Sequence, residues 1–201
     1  HTIYSTSLWM IGKDVNNQIH GAIGNYGLND ESYIPGPLTV LHGTGDPSQN
    51  IEDYGPATIS PAVSQMYDHI YTLTSTELNE FIDWSNCMHD PLCDENVNYP
   101  NYNIPASILN WPAHGDHSLD QDVNLTPFYD HNGDNVYVPA DGDHPCIKGD
   151  KYALIIMNDR NPNNTTISSI GVEIHTEIYA YNMGGNSPID KTVFVGHKII
   201  N

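Results

Sequence analysis

The chain has 201 residues, with 25 Asp plus Glu against 6 Lys plus Arg, a formal net charge of −19 and a hydrophobic fraction of 38%. Such a field repels a phosphate backbone and an anionic membrane surface, which excludes nucleic acid and acidic lipid as partners, while 13 Tyr, 3 Trp and 3 Phe argue against plain disorder. Eighteen Asp, 22 Asn, 16 Gly and 14 Pro favour turns over regular elements and exclude helix bundles and coiled coils.

In chain order, residues 3–11 and 18–26 read as strands around a turn at 12–17, a β-hairpin. Residues 27–65 form a long Gly-, Pro-, Asp- and Ser-rich excursion. A short strand over Tyr67–Leu73 leads into the single predicted helix. There Thr74-Ser-Thr-Glu77 spells a capping box and Leu78, Phe81 and Ile82 make one apolar stripe, with the end expected at Trp84–Asn86. A second loop-rich stretch covers 94–150. Tyr152–Met157 is a continuous apolar run suited to a central strand. Residues 170–181 alternate, with Val172, Ile174, Thr176, Ile178 and Ala180 on one face and Glu173, His175, Glu177, Tyr179 and Tyr181 on the other. Lys191–Ile200 supplies a further strand. His175, on the polar face, reads as a cross-strand partner rather than a ligand.

The pattern predicts a single mainly β domain over 1–201, an antiparallel, jelly-roll-like β-sandwich with one short helix and long calcium-binding loops. No apolar run approaches the roughly 20 residues of a membrane span, so no membrane insertion is expected. The chain opens at His1 without an initiator Met and closes on strand-like sequence, which predicts a piece of a larger or processed protein.

The strongest chemical signal is Asp130-His-Asn-Gly-Asp-Asn-Val136 with Asp141 following. Oxygen donors at relative positions 1, 3 and 5 (Asp130, Asn132, Asp134), a backbone carbonyl at 7 (Val136) and a carboxylate at 12 (Asp141) follow the EF-hand ligand rhythm without its helices. Gly133 stands at position 4 rather than 6, and Asp replaces the bidentate Glu at 12. Hard oxygen donors select Ca2+, with Asp143 as an additional carboxylate. The alternative is an Asx-rich turn without metal. A possible second site is His114, Asp116 and His117, joined by Asp150; as transition-metal ligands or an acid–base set these residues compete with a loop merely pinned by hydrogen bonds over Trp111.

Cys87 and Cys93, with five residues between them including Pro91, predict a local disulfide and hence an oxidising compartment; zinc with His89, or reduced thiols, are the alternatives. Cys146 is left over. Asn124, Asn163 and Asn164 begin glycosylation sequons. No nucleophile elbow, P-loop, dinucleotide fingerprint or HExxH is present, so the sequence gives no support for an enzyme.

Ser5–Gly12 with Gln18–Ala22, Tyr33–Leu38, Tyr67–Tyr71, Thr76–Phe81, Ile108–Asp116, Leu125–Asp130, Gly149-Asp150, Gly171–His175 and Phe194–Asn201 occur in an order that resembles a domain of large secreted surface proteins of Bacteroidota exported by the type IX secretion system. The resemblance implies an extracellular or cell-surface, multidomain, mostly β protein, and a calcium loop at Asp130, Asn132, Asp134 and Asp141. The chain departs from it between Asn158 and Ile170, and the sorting domain is absent.

The expected function is a calcium-stabilised structural or adhesive module, partnering itself through exposed strands. The alternative is a surface-glycan-binding module using Trp9, Trp84, Trp111 or the Tyr-rich surface. A hydrolase built on the His114–His117 loop is the third reading.

Overall fold

The computed structural model describes residues 6–24, 31–39, 57–185 and 187–201. Its centre is β7 (Lys151–Asn158), in which Tyr152, Leu154, Ile156 and Asn158 are buried in alternation with half-buried neighbours. A strand paired along both edges and covered on both faces must be apolar throughout, and this is the one run in the chain that is.

On one edge, β7 pairs antiparallel with β4 (Tyr71–Thr74) at one end and with the two-residue β3 (Ile34–Pro35) at the other. On its other edge lies β8 (Glu173–Ala180), followed by β9 (Phe194–Ile200), completing a five-stranded antiparallel sheet. The predicted hairpin is present as β1 (Trp9–Lys13) and β2 (Ile19–Ile23); the predicted strand residues 3–5 and 25–26 lie outside the described residues. A small ribbon joins β5 (Phe128–Tyr129) to β6 (His144–Pro145).

Register assigns the two faces of the sheet. Tyr152, Leu154 and Ile156 share a face with Tyr179, Glu177 and His175 respectively, and Leu73 lies beside Tyr152. Trp111, Ala113 and Leu125 cover this face, and Leu73 packs with Phe81 and Ile108. The layer here is therefore irregular chain plus helices. Among the described residues no second sheet larger than a two-stranded ribbon is found, so the shared ground with the sequence reading is an antiparallel, β-rich fold.

The helix predicted from its capping box is α2 (Ser75–His89). Thr74 Oγ1 accepts from the Glu77 N–H while the Glu77 carboxylate accepts from the Thr74 N–H. It runs one turn beyond the predicted end, to His89, whose Nδ1 bonds the Ser85 carbonyl at 2.7 Å, and it carries Cys87 within it. Three short helices escaped the 3.6-residue pattern because none is long enough to show it: α1 (Pro61–Met66), α3 (Glu95–Asn98) and α4 (Ala106–Leu109). α1 has a start signal all the same, Ser60 as N-cap with Pro61 at the first helical position. At the C-terminal end, Lys191 closes a 3-10 turn (Pro188–Lys191) instead of opening the last strand.

Phe81 is fully buried and links α2 to β4 and α4. Phe81→Ala is expected to lower the unfolding free energy by about 3–5 kcal/mol, read from denaturant midpoints at unchanged slope.

Candidate functional site

The 130–143 segment is a closed loop whose neck is the β5–β6 ribbon, with Tyr129 stacked on His144 at 4.9 Å. Inside it the Asp130 carboxylate accepts from the backbone N–H groups of Gly133 and Asn135, both at 2.7 Å. Asn132 Oδ1 accepts from the Asp134 N–H, and Asp134 Oδ1 accepts from the Val136 N–H. The bond from Asn135, followed by that from Gly133, holds the Asp130 carboxyl below the usual carboxylate range. The bend that an EF-hand makes with Gly at position 6 is made here by Asn135, at φ 61°, an amide residue that tolerates the left-handed region.

Asp143 plays a different part. It is fully buried at the neck, where one oxygen accepts from the His131 N–H at 2.8 Å and the other from the Val138 N–H at 2.7 Å. Its carboxylate braces the two arms of the loop. Gly142, at φ 104°, lets the neck approach α2, where an added Cβ would meet Ser85 Oγ at 2.8 Å. His131 and His89 lie with ring centroids 4.5 Å apart, so the loop docks on the C-terminal turn of α2. There the predicted Cys87–Cys93 disulfide is formed, with Cα atoms 5.2 Å apart. Cys146 is an exposed free thiol, and desolvation of its sulfur raises its pKa.

The second predicted set is dispersed among separate local tasks. His114 Nδ1 bonds the Val123 carbonyl at 2.6 Å and its Nε2 accepts from the Tyr137 N–H at 2.9 Å, which occupies both ring nitrogens. Asp116 caps Ser118, whose side-chain and then backbone bonds lower its pKa. Asp150 instead receives Ser75 Oγ and the Asn182 N–H at the far end of β7. Among the described residues no group of three His, Cys, Asp or Glu side chains is arranged to hold a metal ion. Of the three tryptophans, Trp111 is buried in the core and Trp84 is half-buried and stacked on Tyr102. Trp9 is 64% exposed, its indole N–H held by the Gly24 carbonyl and Ser7 Oγ.

A site the sequence reading passed over lies on β8. The face that looked solvent-directed is buried at its start: Glu173 is 6% exposed and His175 3%, and their side chains bond each other at 2.6 Å along the same strand. The second Glu173 oxygen accepts from the Leu38 N–H at 2.7 Å. His175 is thus partnered along its own strand, and the i, i+2 spacing of Glu173 and His175 was the available clue. Beyond it Glu177 receives Lys148 Nζ and the Tyr152 hydroxyl at 2.8 Å. Burial opposes ionisation of Glu177, but these bonds prevail and leave its pKa lowered. A cleft of about 530 Å³ opens here between segment 124–128 and the sheet, lined by His175, Glu177, Lys148 and Lys198 over a floor of Leu125 and Leu154.

The opposite face is apolar. Ile155, Met157, Ile178 and Val195 line a groove of about 740 Å³ that Trp9 and Tyr33 border. At its rim β9 is the last strand of the sheet among the described residues, with Val195 and Ile199 at 47% and 50% exposure.

Comparison of the chain with protein-family models, with curated proteins and with solved structures gives no match. Among the described residues no helix is long and apolar enough to cross a membrane.

Asp143→Ala removes the acceptor for two backbone N–H groups at about 1–3 kcal/mol each. A loss of about 2–6 kcal/mol is therefore expected in chemical denaturation, with roughly half retained in Asp143→Asn, which keeps one acceptor oxygen. An Asp143→Ala protein as stable as the parent would show that the neck does not depend on this carboxylate.

Proposed function

We propose that this chain is a structural or adhesive module of a secreted or cell-surface protein, stabilised by calcium and associating with copies of itself through the outer edge of β9. The observation that carries the reading is that edge. Seven residues long, it holds no proline, and its exposed Val195 and Ile199 continue an apolar sheet face. An unprotected edge with apolar flanks is a template for another strand.

The most economical occupant is a second β9 related by a two-fold axis. Centred on His197, such a pairing sets Val195 opposite Ile199 and Gly196 opposite Lys198, so the lysines do not face each other. It merges two sheets into one and makes their apolar faces continuous. The Cys87–Cys93 disulfide supports an oxidising, extracellular setting. Export of the kind inferred from the resemblance to Bacteroidota surface domains belongs to the same proposal.

In this reading calcium is held in the 130–141 loop by the Asp130, Asn132 and Asp134 side chains and the Val136 carbonyl, with Asp141 closing the set. The support is the donor chemistry and the left-handed bend at position 6. The glycan reading now rests on Trp9 and the groove it borders, since Trp111 is inaccessible and Trp84 is engaged.

Sedimentation velocity over rising protein concentration is expected to show a monomer–dimer equilibrium that Val195→Lys and Ile199→Lys abolish without lowering the melting temperature. A monomer at every concentration, or association unaffected by both variants, would sink the assembly reading. Independently, excess calcium at about 100 times its Kd should stabilise the fold by about 2.7 kcal/mol, and EDTA should reverse this. A melt identical in EDTA and calcium, together with no calorimetric binding, would leave the loop an Asx-rich turn.

A further inference from the structure

We propose that the cleft between segment 124–128 and strands β8 and β9 binds a single-ring, hydroxylated monocarboxylate, an acidic sugar unit of uronate type, with Lys198 taking the carboxylate and His175 a hydroxyl. The volume, about 530 Å³, is in the range of small-molecule sites. Leu125, Leu154 and Tyr152, all at least nine-tenths buried, give it a rigid apolar floor, and Phe128 gives it a wall.

The polar groups decide the ligand's chemistry. Both carboxylates near the cleft are already engaged: Glu177 by Lys148 and the Tyr152 hydroxyl, Glu173 by His175 and the Leu38 N–H. A cationic ligand therefore finds its natural partners taken. Lys198, by contrast, makes no ion pair with any described residue, and register places it directly across from His175 on the same face. Two of the chain's six basic side chains, Lys148 and Lys198, meet at this one cleft of a protein whose net charge is −19. A single negative charge is accommodated beside Lys198; a polyanion is repelled by the rest of the surface.

His175 sets the second requirement. A carboxylate can only accept, so Nε2 carries the proton of the bond to Glu173. Nδ1 is bonded by no described residue and is left to a ligand group. A sugar hydroxyl, which can both donate and accept, is the complement. Lys198 belongs to β9, so the cleft borders the proposed pairing edge, while it is separate from the groove beneath Trp9.

The test is an NMR titration of the isotope-labelled protein with glucuronate, glucose and cyclohexanecarboxylate, which carry both groups, the hydroxyls alone and the carboxylate alone. Glucuronate should shift the amides of Asn124, Leu125, Thr126, Phe128 and 196–198 saturably in the millimolar range, with each control at least about fivefold weaker, a loss of about 1 kcal/mol. Lys198→Met should bring glucuronate down to the level of glucose, while Lys198→Arg retains binding. The proposal is overturned if no probe gives saturable shifts at these amides, if glucose binds as well as glucuronate, or if Lys198→Met leaves the affinity unchanged. Equal binding of cyclohexanecarboxylate and glucuronate overturns the role given to His175.

Discussion

A side-chain carboxylate accepting backbone N–H groups is the interaction on which this structure depends. With 38% hydrophobic residues and long stretches outside helix or sheet, many N–H groups have no ladder partner. Aspartate supplies it. Asp159, 2% exposed, gathers the N–H groups of Ile170, Gly171 and Val172 and so closes the 159–172 loop onto the start of β8. Asp143 braces the 130–143 loop in the same way, and Asp190 holds the Met183 and Ser187 N–H groups ahead of β9. Asp14 does so inside the β1–β2 turn. Each removes an unsatisfied donor at a point where no sheet or helix reaches.

This changes the meaning of the acidity. The excess of Asp over Glu, 18 against 7, suits such work, because the Asp carboxylate sits one bond from Cβ and is held close to the backbone. The cation ligation proposed for the 130–141 loop is one use of a device repeated along the described residues. The sparse positive charges are correspondingly placed: Lys148 neutralises Glu177, and the Arg160 guanidinium bonds Ser169 Oγ in the loop that Asp159 closes.

What the sequence disclosed was what is local. The Thr74–Glu77 capping box, the β1–β2 turn, the Cys87–Cys93 spacing and the alternation along β8 all depend on residues a few positions apart, and all stand in the structure. Which face of β8 is buried was not legible, because it depends on what packs there. The Glu173 side chain is satisfied by the Leu38 N–H, 135 residues away, and no composition rule points to that partner. The same holds for Asp143, a buried brace rather than a loop ligand by its contacts, and for His114, whose two nitrogens are claimed by Val123 and Tyr137. The short helices were hidden for a different reason: four to six residues cannot display a 3.6-residue period.

The position of β7 has a kinetic consequence. Its partners lie on both sides of it in sequence: β3 and β4 precede it by long intervals, and β8 follows, carrying β9 on its other edge. The bonds that seal the sheet span 122 residues from Asn158 to Gly36 and 135 from Leu38 to Glu173. Loop closure of that length must precede most of the stabilising burial, so folding is governed by high contact order. Until β7 is in place, β3 and β4 have no strand to pair with, and β9 depends in turn on β8, so the sheet assembles as a unit.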